Sequence, residues 1–188
     1  MALTISGTSN GKLGNLSLSA NTGDILDSAN TSFFGVDQWY MNANRTTDGT
    51  LTAWTRVPAT DGGGNIGSAM TVSSGHWTFP TTGIWLCQGN FNIVNTATDN
   101  DNAAILWECS EDDFSTIFTN RPYAQTYVED EGFTNNKALT YVFDCQDTST
   151  HKFRFKASSL SSSSGTYIQG ITGSLFPTWV SFIRLGDT

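Results

Sequence analysis

The sequence is poor in charged side chains and in cysteine, and it has no long apolar run. Charged residues make up 14% of its 188 positions, against roughly 25% in an ordinary globular protein. The three cysteines are Cys87, Cys109 and Cys145, without a Cys-x-x-Cys pair, which excludes a zinc signature and a disulfide framework but leaves one disulfide open. No stretch approaches the ~20 apolar residues of a membrane span. We therefore expect neither a structural metal nor a membrane partner.

Basic residues are also scarce. The chain has 9 Lys and Arg against 17 Asp and Glu, which gives a formal net charge of −8. A chain this acidic repels phosphate backbones. Its densest basic group, Lys152, Arg154 and Lys156, occupies alternate positions, which is typical of the solvated face of one strand. We therefore expect no nucleic-acid partner.

Catalytic signatures are missing as well. The glycine loop at 61–67 has no following Lys-Ser or Lys-Thr, and no nucleophile elbow or dinucleotide fingerprint occurs. The acidic clusters near Glu111 and Glu129 fall in predicted loops, where solvation is easy. The loop 98–102, TDNDN, has oxygen ligands at alternate positions but lacks the glycine and distal Glu of a full calcium loop. We predict a non-enzymatic protein without a cofactor; calcium binding and a glycoside hydrolase that uses Glu108 or Glu111 remain alternatives.

From Ser32 onward, apolar side chains alternate with polar ones. This period of two predicts half-buried antiparallel strands, and no segment shows a helical stripe. About ten short strands predict an all-β, antiparallel jelly-roll sandwich. The three cysteines share the apolar faces, so we predict that they are buried packing residues. The clearest faces are Trp85, Cys87, Phe91 and Ile93; Ala103, Ile105, Trp107 and Cys109; Leu139, Tyr141, Phe143 and Cys145; and Phe153, Phe155 and Ala157.

The first 31 residues differ from the rest of the chain. They contain no aromatic residue and are dense in Gly, Asn, Ser and Thr. Their short apolar pairs bury too little surface to fold alone. We predict an extended N-terminal docking arm over 1–31 and a jelly-roll domain over 32–188; an unstructured terminus is the alternative to the arm.

The stretch 75–87, GHWTFPTTGIWLC, predicts two strands joined at Pro80–Gly83. It resembles the most recognisable pattern of the complement subcomponent-q and tumour necrosis factor superfamily, in which Gly-x-Phe-x-x-Pro leads through x-x-Gly-x-Tyr into the next strand. The resemblance implies a non-enzymatic jelly roll that assembles as a trimer around a threefold axis. The residues of this core signature are Trp77, Phe79, Pro80, Gly83, Trp85 and Cys87.

The MALTISGT start, the composition rich in Asn, Thr and Gly, and the C-terminal jelly roll also resemble virion proteins of tailed bacteriophages. This resemblance implies a homotrimeric capsid decoration (cement) protein that binds the major capsid protein on the outer capsid surface. The alternative is a receptor-binding fibre or knob tip that recognises host surface glycans or proteins. Since the start has no charged region followed by an apolar one, we expect no signal peptide, synthesis in the host cytoplasm and a final location in the virion.

A trimer requires apolar residues on the second face of some strands. The candidates for this interface are Phe34, Leu106, Val180 and Phe182. For the last strand, the competing assignment is that Phe182 packs in the core and Trp179 faces out. A register slip of one residue exchanges the two faces of a strand, so the alternation alone leaves both assignments open.

Overall fold

The computed structural model describes residues 35–118, 122–128, 132–160, 165–171 and 173–188. Within these ranges, thirteen β-strands and one short 3₁₀ turn, Ala59–Asp61, form two antiparallel sheets. The predicted arm over 1–31 and the interface candidate Phe34 lie outside the described residues. The strands are β1 (Val36–Met41), β2 (Gly49–Thr50), β3 (Trp54–Arg56), β4 (Asn65–Ile66), β5 (Thr71–Ser73), β6 (His76–Thr78), β7 (Gly83–Val94), β8 (Asn100–Ser110), β9 (Tyr123–Val128), β10 (Thr134–Cys145), β11 (Lys152–Ser158), β12 (Tyr167–Ile168) and β13 (Trp179–Gly186).

The two sheets form a sandwich. Sheet I has the strand order β10-β7-β13-β1-β3, with β12 paired to β7 and β4 paired to β1. Sheet II has the order β5-β6-β11-β8-β9, with β2 paired to β11. The chain passes between the sheets repeatedly, for example at the β6–β7, β7–β8, β9–β10 and β10–β11 connections, as it does in a jelly roll. The prediction of an all-β, antiparallel jelly-roll sandwich is confirmed.

The inner faces of the two sheets meet in an aromatic core. The ring of Trp77 makes edge contacts with Trp39 and Trp54, with centroids 5.1 and 5.6 Å apart, and a tilted contact with Phe182 at 4.8 Å. Aromatic pairs at such separations stabilise a core beyond their burial alone. Because every second side chain of a strand faces inward, the alternating runs of the sequence supply these residues.

All three cysteines are free thiols buried in this core. Burial raises the pKa of the Cys87 thiol well above its ordinary value and raises that of Cys145 to about 11. A thiol that stays protonated is a poor nucleophile. Cys87, Cys109 and Cys145 therefore act as small apolar packing residues.

The segment Pro80–Gly83 joins β6 to β7, but these two strands do not form a hairpin. β6 pairs with β5 and β11 in sheet II, whereas β7 pairs with β10 and β13 in sheet I. Gly83 has φ +137°, and a Cβ atom there would lie 2.5 Å from the carbonyl oxygen of Gly186, so the crossing requires glycine. The crossing brings Phe79 and Trp85 together in the core, with ring centroids 5.3 Å apart.

Candidate self-association surface

The outward face of sheet I is apolar along part of β7. This strand turns Trp85 and Cys87 into the core, so Ile84 and Leu86 point to the opposite face. Four consecutive apolar residues, IWLC, thus supply both faces of the strand. Apolar residues on both faces of a strand are typical of a sheet that is covered on both sides.

A row of apolar side chains crosses this outward face. Val142 of β10 lies opposite Leu86, Leu86 lies opposite Ile183 of β13, Ile183 lies opposite Val36 of β1, and Val36 lies opposite Ile66 of β4. Directly paired residues have Cβ atoms about 4.5–5.5 Å apart, so the row is continuous over five strands. Val142 is 53% exposed, Ile66 is 65% exposed, and the three residues between them are half-buried. We call these five residues the apolar row.

Other residues extend the apolar row on one side and limit it on the other. Toward the end of β13 lie the half-buried Ile84 and the exposed Leu185. On the other side, the next outward row is polar and consists of Thr140, Gln88, Ser181 and Gln38. A contiguous exposed apolar patch with a polar rim marks an interaction surface of a soluble protein.

Two of the interface residues predicted from the sequence do not lie on this surface. Val180 and Phe182 are completely buried in the core, opposite Gly89 and Cys87 of β7. Their assignment to a subunit interface is therefore wrong. The competing assignment is correct, because Phe182 packs inside and Trp179 is 41% exposed on the outer side.

Arg184 is the physical reason for this error. It shares the inward face of β13 with Val180 and Phe182, whereas an arginine normally marks the solvent side of a strand. Here its guanidinium donates hydrogen bonds to the Thr82 carbonyl, at 3.1 Å, and to the Asp187 carboxylate. A buried cation is tolerated when it is paired in this way, so the charge does not determine which face of β13 meets solvent.

The remaining described candidate, Leu106, lies half-buried on the outward face of sheet II, on the opposite side of the sandwich from the apolar row. This face is charged. Glu108 is only 2% exposed and accepts a hydrogen bond from Arg154 Nε at 2.7 Å, while Lys156 Nζ lies 3.8 Å from its other oxygen. We call these three charged residues, with His76 beside Arg154, the ion network.

An aromatic ring covers part of the ion network. Phe114 packs on the Arg154 guanidinium, 4.2 Å from its carbon to the ring centroid, and on His76, with centroids 4.5 Å apart. Burial, and then the Arg154 charge, lower the pKa of His76. Glu108, a carboxylate considered for glycoside hydrolysis, is therefore engaged in ion pairs, whereas Glu111 is exposed in the turn that follows β8.

The acidic loops do not converge in the part of the chain that the structure describes. There, no group of three or more His, Cys, Asp or Glu side chains is close enough to hold a metal ion. The TDNDN segment, predicted as a loop, enters β8 at Asn100, which is buried and donates hydrogen bonds to the Ser159 carbonyl at 2.9 Å and to Thr166 Oγ1 at 3.0 Å. The acidic cluster at 129–131 lies outside the described residues.

The comparisons with known proteins show the fold. No protein-family model matches the chain, and no curated protein matches it in sequence. Its structure is similar to Eiger TNF from S. frugiperda, with a TM-score of 0.58 and 11% identity over 82% of this chain and 94% of that one. It is also similar to murine APRIL in structures at pH 5.0 and pH 8.5, with TM-scores of 0.55 and 0.51 and 12% and 13% identity, over 81% of this chain and 99% of each of those. The tumour necrosis factor-like jelly roll that the sequence resembles is thus the fold of this chain.

One further property concerns membranes. Across residues 35–188, apart from the short ranges that the structure does not describe, no helix is long and apolar enough to cross a bilayer.

Proposed function

We propose that this protein assembles as a homotrimer through the outward face of sheet I. The observation that carries the proposal is the apolar row, five side chains in register across five strands. Apolar surface removed from water stabilises an assembly by about 25 cal/mol per Å². Three copies that turn this face toward a common axis cover all three rows, and such closed symmetry limits the assembly to three subunits.

The size of the surface matters because association has a cost. Each subunit loses translational and rotational freedom when it binds, and only the surplus of burial over that loss appears as affinity. Ile84 and Leu185 therefore contribute beside the apolar row. The exposed Thr140 and the half-buried Gln88 of the polar row supply the hydrogen-bonding rim that is typical of subunit interfaces. The resemblance to trimeric jelly rolls supports the same stoichiometry.

We further propose that the trimer is a non-enzymatic decoration protein on the outer surface of a phage capsid, with the major capsid protein as its partner. The low charge content and the abundance of small polar residues support a virion location. The predicted arm over 1–31 supplies a separate segment for docking.

A substitution in the apolar row tests the trimer. In Val142→Asp, the new carboxylate is solvated in a monomer, since Val142 is 53% exposed, but it is desolvated in an interface. Sedimentation velocity at micromolar concentration should show trimers of the unchanged chain and folded monomers of the variant. Tyr123→Asp is the matched control, because Tyr123 is 50% exposed but lies on β9 of sheet II. Monomers of the unchanged chain, or trimers of Val142→Asp, would overturn the proposal.

A receptor-binding fibre or knob tip is the second candidate function, because Trp179 is exposed beside an open cleft. The two functions differ in copy number. A decoration protein occurs in hundreds of copies per particle, whereas an adhesin occurs in a few dozen or fewer. Quantitative mass spectrometry of purified particles, with cryo-electron microscopy to locate the protein, separates the two.

A further inference from the structure

An open cleft of about 400 Å³ lies at the end of sheet I where β13 begins. Its lining includes the aromatic residues Trp179 and Phe176, which we call the aromatic wall, and Asp61 with the two glycines that follow it, which we call the polar wall. Gln38 of β1 lies between the two walls. The cleft is therefore a concave site with an aromatic wall and a polar wall, which is the usual composition of a small-molecule site.

The aromatic wall contains the one exposed tryptophan of the chain. All six tryptophans lie in the described residues; five are at most 8% exposed, whereas Trp179 is 41% exposed. Tyr40, directly opposite Trp179 on β1, stacks on Phe176 with ring centroids 4.2 Å apart and planes 16° apart. This stacking fixes the Phe176 ring, which is itself part of the aromatic wall. An indole left open beside a cleft is a surface on which a flat apolar face can pack.

The polar wall is held in place by main-chain hydrogen bonds. The Val57 amide donates to the Gln38 carbonyl at 2.9 Å, and the Gln38 amide donates to the Gly64 carbonyl at 3.3 Å. Gly63 packs so closely on Val57 that a Cβ atom at Gly63 would lie 2.2 Å from Val57 Cγ1. The loop that carries Asp61 is thus fixed against β1, and the cleft is preformed.

We propose that this cleft binds a neutral saccharide. A pyranose ring has an apolar C–H face, which fits the exposed indole, and an edge of hydroxyl groups, which fits the Gln38 amide and the Asp61 carboxylate. The residues that line the cleft include a carboxylate but no Lys, Arg or His, and the formal net charge of the chain is −8. Both facts disfavour anionic sugars. The volume suits one or two sugar rings.

The cleft is separate from the apolar row. Trp179 precedes Ile183 by four residues on β13, a distance of about 13 Å along an extended strand, and the polar row of Ser181 and Gln38 lies between them. Gln38 belongs to both the polar row and the cleft, so the two sites adjoin on the outward face of sheet I, and the experiment must separate loss of the trimer from loss of saccharide binding.

The test uses a panel of oligosaccharides and the full chain. The neutral members are malto-, cello-, manno- and chito-hexaose, and the anionic members are oligogalacturonate and sialyllactose. Isothermal titration and tryptophan fluorescence should show saturable, weak binding of at least one neutral member and protection of Trp179 from acrylamide. Trp179→Ala should weaken that binding by about tenfold or more, and Trp179→Phe by less. Tyr123→Ala, an exposed aromatic on sheet II, is the control that should leave binding unchanged.

Four results would overturn the saccharide site. Two concern the ligands: no neutral member binds, or only anionic members bind. Two concern Trp179→Ala: binding survives the substitution, or the substitution dissociates the trimer. Dissociation would make Trp179 a subunit contact. Repeating the titration with Val142→Asp keeps the two proposals apart, because a monomer with an intact cleft should still bind.

Discussion

The outward faces of the two sheets differ far more than their inward faces do. Both inward faces are apolar and aromatic. The outward face of sheet II, however, pairs Glu108 with Arg154 and Lys156 and covers part of this network with Phe114. On the outward face of sheet I, the apolar row runs across five strands, and among the described residues nothing covers its ends, Val142 and Ile66, which are 53% and 65% exposed.

This difference between the outward faces indicates which of them has its charged and apolar groups satisfied within one subunit. In sheet II, each described charge of the ion network has a partner within the same chain, so nothing further is needed to satisfy it. In sheet I, the apolar row has no cover among the described residues, and water is a poor partner for it. A second copy of the chain is the cover that we propose.

The two sheets nevertheless share one core, and Phe182→Ala should have the largest effect on stability. Phe182 lies on sheet I but contacts Trp77 and Phe155 of sheet II, with ring centroids 4.8 and 6.4 Å apart. The cavity left behind should lower the free energy of unfolding by about 3–5 kcal/mol, measured by urea denaturation. Trp179→Ala on the same strand should cost about 1 kcal/mol or less. Equal losses in the two variants would contradict the inward assignment of Phe182.

The ion network of sheet II should contribute the next largest effect. Glu108→Ala leaves Arg154 without its carboxylate and should cost about 2 kcal/mol of unfolding free energy, less than the about 3–5 kcal/mol of a fully buried pair because Lys156 remains half-exposed. Glu111→Ala, in the exposed turn after the same strand, should change stability by about 0.5 kcal/mol or less. If Glu108→Ala dissociated the trimer without a loss of monomer stability, the roles of the two faces would be reversed.

A third variant pair contrasts the two outward faces directly. Leu86→Ser removes the centre of the apolar row and should weaken association by about tenfold, or about 1.4 kcal/mol, in sedimentation equilibrium. Leu106→Ser changes a half-buried leucine on sheet II, which the sequence analysis predicted to lie in the subunit interface. It should leave association unchanged. Weaker association for Leu106→Ser than for Leu86→Ser would move the interface to sheet II.

The smallest expected effect is a change in the free energy of unfolding with pH, which arises from His76 in the ion network. Burial and the Arg154 charge lower the pKa of His76 below its ordinary value of 6.5, so the folded chain favours the neutral imidazole. The unfolded chain therefore takes up this proton at higher pH, and stability should fall as the pH decreases from 6.5 through the lowered pKa. His76→Gln should flatten this part of the pH profile of urea unfolding. Association of folded subunits, which depends on the uncharged row, should change little over the same range.

The sequence was informative about the fold because the alternation of apolar and polar residues is visible within each long strand. Alternation in β7, β8, β10 and β11 predicted the strands, and their apolar faces account for the aromatic core. The stretch around Pro80–Gly83 also predicted two joined strands. That these two strands belong to different sheets did not follow, because the period of two shows that a segment is a strand but not which strand it pairs with.

The candidate surface was harder to find. The apolar row is made of residues from five strands that are far apart in the chain, and only the register places them side by side. One local signal was present, since IWLC is apolar at four consecutive positions and thus apolar on both faces of β7. In β13, Arg184 shares a face with Val180 and Phe182, and this charge obscured which face is buried.

By itself, the sequence determined that this chain is an antiparallel β protein with a large aromatic core, inert cysteines and no recognisable catalytic motif, because alternation and composition are local properties. The tertiary structure decided which face of each strand meets solvent. That choice depends on pairing with neighbouring strands, as in β13, where the register places Arg184 on the same inward face as Val180 and Phe182. For the same reason, only the structure showed the apolar row and the cleft beside Trp179.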